Sequence, residues 1–418
     1  MSSPASNSAM KDEATTALVP KLRFPEFRDS AGWHQKRIGP YLEDCSARVP
    51  PDTQLPIYSS TRDGLKRQDA YFDGRVLQNK NEYGVVPPGC LVYRHMSDDG
   101  LFKFNINQTG GEIAVSKEYP VFSTIHLNPF FLLATLNEGP DFKQFALSQK
   151  AGGTRTRLYF SRLCQWRTLL PSLPEQQKIA DCLSSVDELI AAHARKLDAL
   201  KTHKRGLMQQ LFPCKGETVP RLRFPEFQNA GEWVKRTLGE TARFYNGRAY
   251  KQEELLEFGK YPVLRVGNFF SNKNWYYSDL DLDETKYCDD GDLLYAWSAS
   301  FGPRVWNGGK VIYHYHIWKV EERLDIYRQF LFITLENETK RMKAQSANGL
   351  GLLHITKGTI EGWESSFPPQ PAEQQRIADC LTSLDDLIAA QALICKALNT
   401  HKNGLLQQLF PSMEEGEA

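Results

Sequence analysis

An internal repeat constrains this chain more than any other feature, because a fold that is built twice must place two equivalent copies of one frame. Leu22-Arg23-Phe24-Pro25-Glu26-Phe27 returns as Leu222-Arg223-Phe224-Pro225-Glu226-Phe227, and Trp33 and Gly39 return as Trp233 and Gly239, all 200 residues later. Residues 175–213 return as 373–411, 198 residues later, with 27 of 39 positions identical. Between these blocks, residues 40–170 and 240–367 share almost no identity. Drift after a duplication should erode all parts alike. Two near-identical segments therefore imply two equivalent contacts, with one kind of partner or with each other, and two dissimilar segments imply one scaffold presenting two different surfaces.

The second repeated block reads as helix. In the first copy Ile179, Leu183, Val186, Ile190, His193, Leu197, Leu200, Lys204, Leu207 and Leu211 alternate at spacings of four and three, a heptad seam. In the second copy the seam is Ile377, Leu381, Leu384, Ile388, Gln391, Cys395, Leu398, Lys402, Leu405 and Leu409. Pro174 and Pro371 mark the entries and Pro213 and Pro411 the stops. Each helix would be about 55 Å long. The two can bury their seams against each other as a coiled coil, and antiparallel pairing would place one variable segment at each end. His193 and Gln391 read as register-setting polar residues, Lys204 and Lys402 as snorkelling lysines. Gly206 and Gly404 each cost about 1 kcal/mol inside a helix, so their presence in both copies suggests a close helix contact or a bend.

The variable segments alternate turn residues with β-branched and aromatic runs. Tyr83-Gly84-Val85-Val86, Cys90-Leu91-Val92-Tyr93-Arg94 and Leu293-Leu294-Tyr295-Ala296-Trp297 read as strands. Runs starting at Pro129 and Tyr327 read as helices. Each segment is thus an α/β (α+β) domain of mixed content. The expected layout is a tail over 1–19, a first domain over 20–170, a helix over 171–213, a second domain over 214–367, a helix over 368–411 and a tail over 412–418. Length agrees, since 418 residues at roughly 150 per domain suggest two or three domains.

Composition excludes several classes. Apolar residues at 41% and charged residues at 24% suit packed cores. The apolar run at Phe130 to Leu136 is far short of the roughly 20 residues that cross a bilayer. The start lacks the pattern of a signal peptide. Eight cysteines without a C-x-x-C pair suggest free thiols in a reducing, cytoplasmic setting. With 51 basic and 50 acidic residues the net charge is +1, so any electrostatic partner must be read locally. Residues 141–168 carry Lys143, Lys150, Arg155, Arg157, Arg162 and Arg167 against Asp141, and residues 339–360 carry Lys340, Arg341, Lys343 and Lys357 with no acid. Both stretches precede a long helix and interleave glycine, as in residues 152–159 and 348–354, so their cations can approach phosphates or guanine edges. Catalytic motifs are missing. There is no G-x-G-x-x-G after a strand and no phosphate loop. Asn128-Pro129-Phe130-Phe131 lacks the second proline of an amino-methyltransferase signature, and Glu284-Thr285-Lys286 lacks the acidic partner of a nuclease. No histidines pair at metal-ligand spacing.

The order of variable unit and long helix, twice, with E-Q-Q-[KR]-I-A-D-C-L opening each helix, resembles the specificity subunit of bacterial type I restriction-modification systems. The matching strings are Pro171-Ser172-Leu173-Pro174-Glu175-Gln176-Gln177-Lys178-Ile179 and Pro371-Ala372-Glu373-Gln374-Gln375-Arg376-Ile377, flanked by Leu-Arg-Phe-Pro-Glu-Phe and Gln-Gln-Leu-Phe-Pro. The resemblance spans about residues 20–411. It implies two target-recognition domains that each read one half of a bipartite, asymmetric site in double-stranded DNA, held apart by an antiparallel helix pair. It also implies two methyltransferase (M) subunits and, in the full complex, restriction (R) subunits. S-adenosylmethionine, ATP and Mg²⁺ would be bound by those partners and no cofactor, metal or catalytic residue by this chain, with no membrane involved.

Base-contacting residues vary with the target in such proteins, so candidates come from charge alone. They are Arg62, Lys66, Arg67, Arg94, Lys103, Arg155, Arg157 and Arg162 in the first domain, and Arg248, Lys251, Arg265, Lys273, Arg304, Lys343 and Lys357 in the second. Asn105, Asn107, Asn268 and Asn307 are candidates for adenine edges. Rival readings are the specificity subunit of a related defence system, a scaffold whose variable domains bind proteins, and a stand-alone methyltransferase or nuclease.

Overall fold

The computed structural model describes residues 17–71, 82–150, 155–214, 216–270, 273–298, 301–347 and 355–411. The glycine-rich stretches 152–154 and 348–354, residues 1–16 of the expected first tail and the expected tail 412–418 lie outside these. The architecture is α+β, as the repeat implies. Two 39-residue helices, α1 (Leu173–Leu211) and α2 (Pro371–Leu409), occupy the repeated blocks. The chain divides into two compact units, and the division does not follow the linear order. One unit contains the described residues up to Arg195 together with those from Leu393, and the other is the continuous stretch from Lys196 to Ala392.

Each unit contains an antiparallel four-stranded sheet of the same connectivity. In the first the order is Leu42–Asp44, Val121–Thr124, Leu91–Tyr93, Phe104–Ile106. In the second it is Ala242–Asn246, Ile317–Glu322, Leu293–Ala296, Gly302–Val305. Two unrelated sequences thus build one topology, because both place short apolar strands at matching intervals. A two-stranded ribbon closes each unit, His34–Arg37 with Arg167–Leu170 and Val234–Thr237 with Glu364–Phe367, and its second strand leads directly into the long helix. The helix predicted at Pro129 is Pro129–Glu138, and the one predicted at Tyr327 is Arg328–Ala347.

The repeated motifs explain themselves once these elements are placed. Glu175 and Glu373, the acids of the two E-Q-Q strings, are 1% and 0% exposed. Arg23 forks onto Glu175 through Nε and Nη2, both at 2.8 Å, and its remaining donors reach the carbonyls of Ser30 and Ala31. Trp33 Nε1 donates to the same carboxylate at 3.2 Å. Arg223, Glu373 and Trp233 repeat the arrangement at 2.8, 2.7 and 3.3 Å, with Ala230 and Gly231 as the carbonyls. The following glutamines are also buried. Gln176 Oε1 accepts from the Asn128 backbone and its amide donates to Pro171, while Gln374 accepts from Tyr327 and donates to Pro368. Beneath each latch lies an aromatic triangle. Trp33, Phe131 and Phe410 have ring centres 5.5–6.0 Å apart, and so do Trp233, Phe330 and Phe212.

Each core is therefore completed by the far end of a helix. Leu405 and Leu409 of α2, with Phe410 just after it, share the first core with Ile179 and Leu183 of α1. Leu207 and Leu211 of α1, with Phe212 just after it, share the second with Ile377 and Leu381 of α2. Within each unit the helix segments run antiparallel: Lys402 meets Asp187 while Leu409 joins Ile179. All twenty seam positions are buried or half-buried. Two expectations require correction. Lys204 and Lys402 do not snorkel. They are 16% and 15% exposed and form ion pairs, Lys204 with Asp385 at 2.5 Å and Lys402 with both Asp187 and Glu138 at 2.8 Å. The facing helix supplies the acid at the same register in both pairs. Burial opposes the charge on Lys402, but the hydrogen bonds to Asp187 and Glu138 outweigh it and hold its pKa above the ordinary lysine value. Gly206 and Gly404 do not mark a close contact. Among the described residues nothing lies within 4 Å of where a Cβ would stand, and both helices run through these positions unbroken.

Removing one member of a buried ion pair leaves the other charged and unsolvated, which costs about 3–5 kcal/mol. Glu373→Ala should therefore lower the opening free energy of the Leu293–Ala296 amides in native-state hydrogen exchange by about that amount. The Leu91–Tyr93 amides should keep theirs, because their unit has its own latch. Equal losses in both units would contradict two independent latches.

Candidate nucleic-acid interface

The frame brings some of the predicted basic residues to corresponding places in the two units. In the first unit they collect where the strand Leu91–Tyr93 ends. Thr156–Arg157 pairs with Met96–Ser97, and Leu158 N donates to His95 O at 2.9 Å. This juxtaposes Arg94, His95, Arg155 and Arg157, and the hairpin of Tyr58–Thr61 and Gly64–Arg67 adds Arg62. Arg155 binds Asp98 at 2.8 Å and Arg62 binds Asp99 at 2.6 Å. Hydrogen bonds from Ser97 and Arg62 hold the Asp99 carboxyl at about 2. Arg94 and Arg157 are exposed and have no carboxylate partner among the described residues. His95 is 7% exposed, its Nδ1 finds no hydrogen bond among the described residues, and its ring stacks at 5.7 Å on Tyr159, which is half exposed.

In the second unit the same position follows the strand Leu293–Ala296, and there Ile355 N donates to Trp297 O at 3.0 Å. The strands Ala242–Asn246, Tyr261–Leu264 and Val311–Tyr313 end beside it. Gly247 N donates to Ile317 O, Arg248 N to Tyr313 O, His314 N to Leu264 O and Trp297 N to His316 O, at 2.9–3.1 Å. Arg248, Tyr250, Arg265, Trp297 and His314-Tyr315-His316 are thereby gathered. Arg248 is already committed, with both Nη atoms on Glu254 at 2.7 and 2.8 Å. Arg265 lies 4.7 Å over the Tyr276 ring and has no carboxylate partner among the described residues. Burial first, then the neighbouring His316 and Arg265, push the His314 imidazole down to about 4.

Other candidates are dispersed or occupied. Lys66 and Arg67 lie on the Gly64–Arg67 strand, Arg67 beside Asp69 at 3.0 Å, and Lys103 precedes the strand Phe104–Ile106. Lys251 pairs with Glu253 at 3.7 Å, and Lys343 donates to Phe301 O at 2.8 Å. Arg162 and Lys357 hold equivalent short helices, Phe160–Leu163 and Lys357–Glu361, where Lys357 reaches Glu361 at 3.5 Å. Lys273 is exposed, and Arg304 is an exposed member of the strand Gly302–Val305. Asn105 and Asn107 must be withdrawn as adenine readers. Both are buried, Asn105 donating to Ser60 and Thr61 and Asn107 to Val86 and Gly111. Asn268 donates to Asn274 O at 2.7 Å. Asn128 is a helix cap, its Oδ1 accepting from Phe130 N and Phe131 N, so the Asn-Pro-Phe-Phe string is structural. Glu284-Thr285-Lys286 is a single turn whose lysine donates to Asn246 O. Charge counting missed His95, Tyr159, Trp297, Tyr315 and both histidines. The closely spaced His-Tyr-His was the one visible signal.

No helix among the described residues is long and apolar enough to cross a membrane. Residues 96–202 and 230–399, more than half of the chain, match the model of the type I restriction modification DNA specificity domain. The chain belongs to this family, the specificity subunits of type I restriction-modification systems, as its repeated motifs implied. It is 24% identical over 400 residues to the putative type I restriction enzyme MjaX specificity subunit of Methanocaldococcus jannaschii, covering 87% of this chain and 92% of that one. The MjaVIII specificity subunit of the same organism is 27% identical over 246 residues, 52% and 55% of the two chains. The fold is similar to that of the type I system S subunit from M. genitalium, with a TM-score of 0.59 at 15% identity over 95% of this chain and 100% of that one. A chain from a structure addressing complex assembly and conformational transition of the type I R-M system aligns with a TM-score of 0.53 at 18% identity, over 91% and 98%.

The His314 environment can be checked directly. A histidine whose pKa is depressed on folding stays neutral where the unfolded chain binds a proton, so its contribution to stability is present above about pH 6.5 and falls as pH approaches 4. The His314 ring resonances should titrate near pH 4 in NMR. A midpoint above 6 would place the ring in solvent.

Proposed function

We propose that this chain is the DNA-reading subunit of its complex, with each unit reading one half of a bipartite, asymmetric site in double-stranded DNA. The repeated helices recruit two methyltransferase subunits, which direct adenine methylation, and restriction subunits join the full complex. The chain itself is non-catalytic. S-adenosylmethionine, ATP and Mg²⁺ belong to the partner subunits.

The observation that carries this reading is the division between frame and surface. Glu175 with Arg23 and Glu373 with Arg223 hold two frames of one design. The strand ends they support carry unlike side chains, with Arg94 and His95 in one unit and Trp297 in the other. A frame made twice suits two copies of one partner, and surfaces made differently suit two different half-sites. Phosphate contacts position such a protein and base contacts specify its site. Exposed cations such as Arg94 and Arg157 fit the first role, and local placement lets a chain with a net charge of +1 bind DNA.

Exchanging residues 40–170 for the matching segment of another specificity subunit should alter one half of the recognised motif, read by methylome sequencing of the host. A change in both halves would overturn the division of labour. Arg157→Ala should weaken duplex binding by the assembled complex and reduce the slope of log affinity against log salt by about one. The absence of sequence-dependent binding at any duplex would favour a protein-binding scaffold instead.

A further inference from the structure

The end of the second unit where four strands stop contains more ordered chemistry than its cations account for. Trp297, His314, Tyr315 and His316 form a contiguous ring cluster, edge-on between Trp297 and His316 and tilted elsewhere, with centre-to-centre distances of 3.9 Å between Tyr315 and His316, 4.4 Å between His314 and Tyr315, 4.8 Å between the histidines and 4.9 Å between Trp297 and His316. The rings are fixed from the main chain. Trp297 Nε1 donates to Tyr315 O at 2.7 Å, Tyr315 N to Arg248 O at 3.0 Å and Ile317 N to His314 O at 2.9 Å. Behind them Trp297 stacks on the buried Trp318 at 5.9 Å. Tyr315 nevertheless keeps 39% of its surface exposed. A core would bury this aromatic group, and a solvated loop would not hold it by so many main-chain bonds.

The charges around the cluster are sorted. Arg248 is neutralised by Glu254, so it braces Tyr250 and is unavailable to a ligand. Arg265 is half-buried, lies over Tyr276 and lacks a carboxylate among the described residues. Burial depresses both imidazoles, which leaves them neutral, each with one donor and one acceptor nitrogen. One guanidinium beside two neutral imidazoles and an exposed phenol ring is poor at attracting phosphates. It suits the alternating donors, acceptors and methyl groups of base edges in a major groove.

We propose that Arg265, His314, Tyr315 and His316, braced by Trp297, form the base-reading surface of the second unit, with Arg265 on a guanine edge and the imidazoles on neighbouring base edges of the same half-site. This rests on the reading that the chain recognises a bipartite DNA site, and it names the groups that discriminate within one half.

The test uses the complete complex with its methyltransferase subunit, incubated with a pool of random-sequence duplexes, from which bound molecules are recovered and sequenced. Arg265→Ala should relax one position of one half-site and weaken the wild-type site about ten- to a hundredfold, with the salt slope unchanged. Arg265→Lys keeps the charge and loses the bidentate fork, and it should relax the same position. His316→Asn should change preference at a different position of that half, and the other half should remain as in the wild type. Wild-type selection by all three variants would overturn the assignment. Full recovery by Arg265→Lys would overturn it too, because Arg265 would then be a phosphate contact. A wild-type complex that selects no motif at all would overturn the preceding reading instead, which separates the two failures.

Discussion

A carboxylate withdrawn almost completely from water must find its hydrogen bonds inside the protein, and the fold is arranged around that requirement at Glu175 and Glu373. Each sits in the first turn of a long helix and takes an arginine fork and an indole N–H from the Leu-Arg-Phe-Pro-Glu-Phe region. The arginine is satisfied in turn by two carbonyls, so the pair has none of the orphaned donors that make buried charges costly. The link spans about 150 residues of sequence in each copy. It joins the start of a unit to its end, and so fixes where the intervening sheet must close.

That arrangement separates what must be kept from what can change. The acid, the arginine, the tryptophan and the helix-terminal phenylalanine form a frame, and the variable segment completes its aromatic triangle with a phenylalanine in the first turn of a helix. Phe131 and Phe330 supply it. Farther out, both sheets follow one connectivity with unrelated side chains. The residues that emerge at their strand ends differ in size, polarity and charge between the units, as His95 and Trp297 illustrate. A surface of this kind can be rewritten without touching the groups that hold the core, because the latch and the strand-end side chains lie on different elements.

Much of this was legible in the sequence because repetition marked it. The heptad spacing located both long helices to within a few residues, and the strands around Tyr83, Leu91 and Leu293 followed from their β-branched and aromatic runs. What composition could not reveal was partnership. Lys204 and Lys402 look like solvent-seeking seam residues until the facing acids Asp385 and Asp187 are in place. Asn105 and Asn107 look available until their carbonyl partners fold around them. Arg248 and Arg265 are indistinguishable as letters, yet one is neutralised by Glu254 and the other is not. Pairings between residues distant in sequence decide such cases, and no local spacing encodes them. The division of the chain into units that cut across both helices was hidden for the same reason.

That division bears on the order in which the protein can be made. Residues 196–392 form one uninterrupted stretch, so the second unit has everything it needs once the ribosome has released the early part of α2. The first unit lacks Leu405, Leu409 and Phe410 until the last helix is synthesised. Domains generally fold as units during synthesis, N-terminal first, and this chain inverts that rule. The half that emerges first waits longest, because its aromatic triangle cannot close before Phe410 has been made.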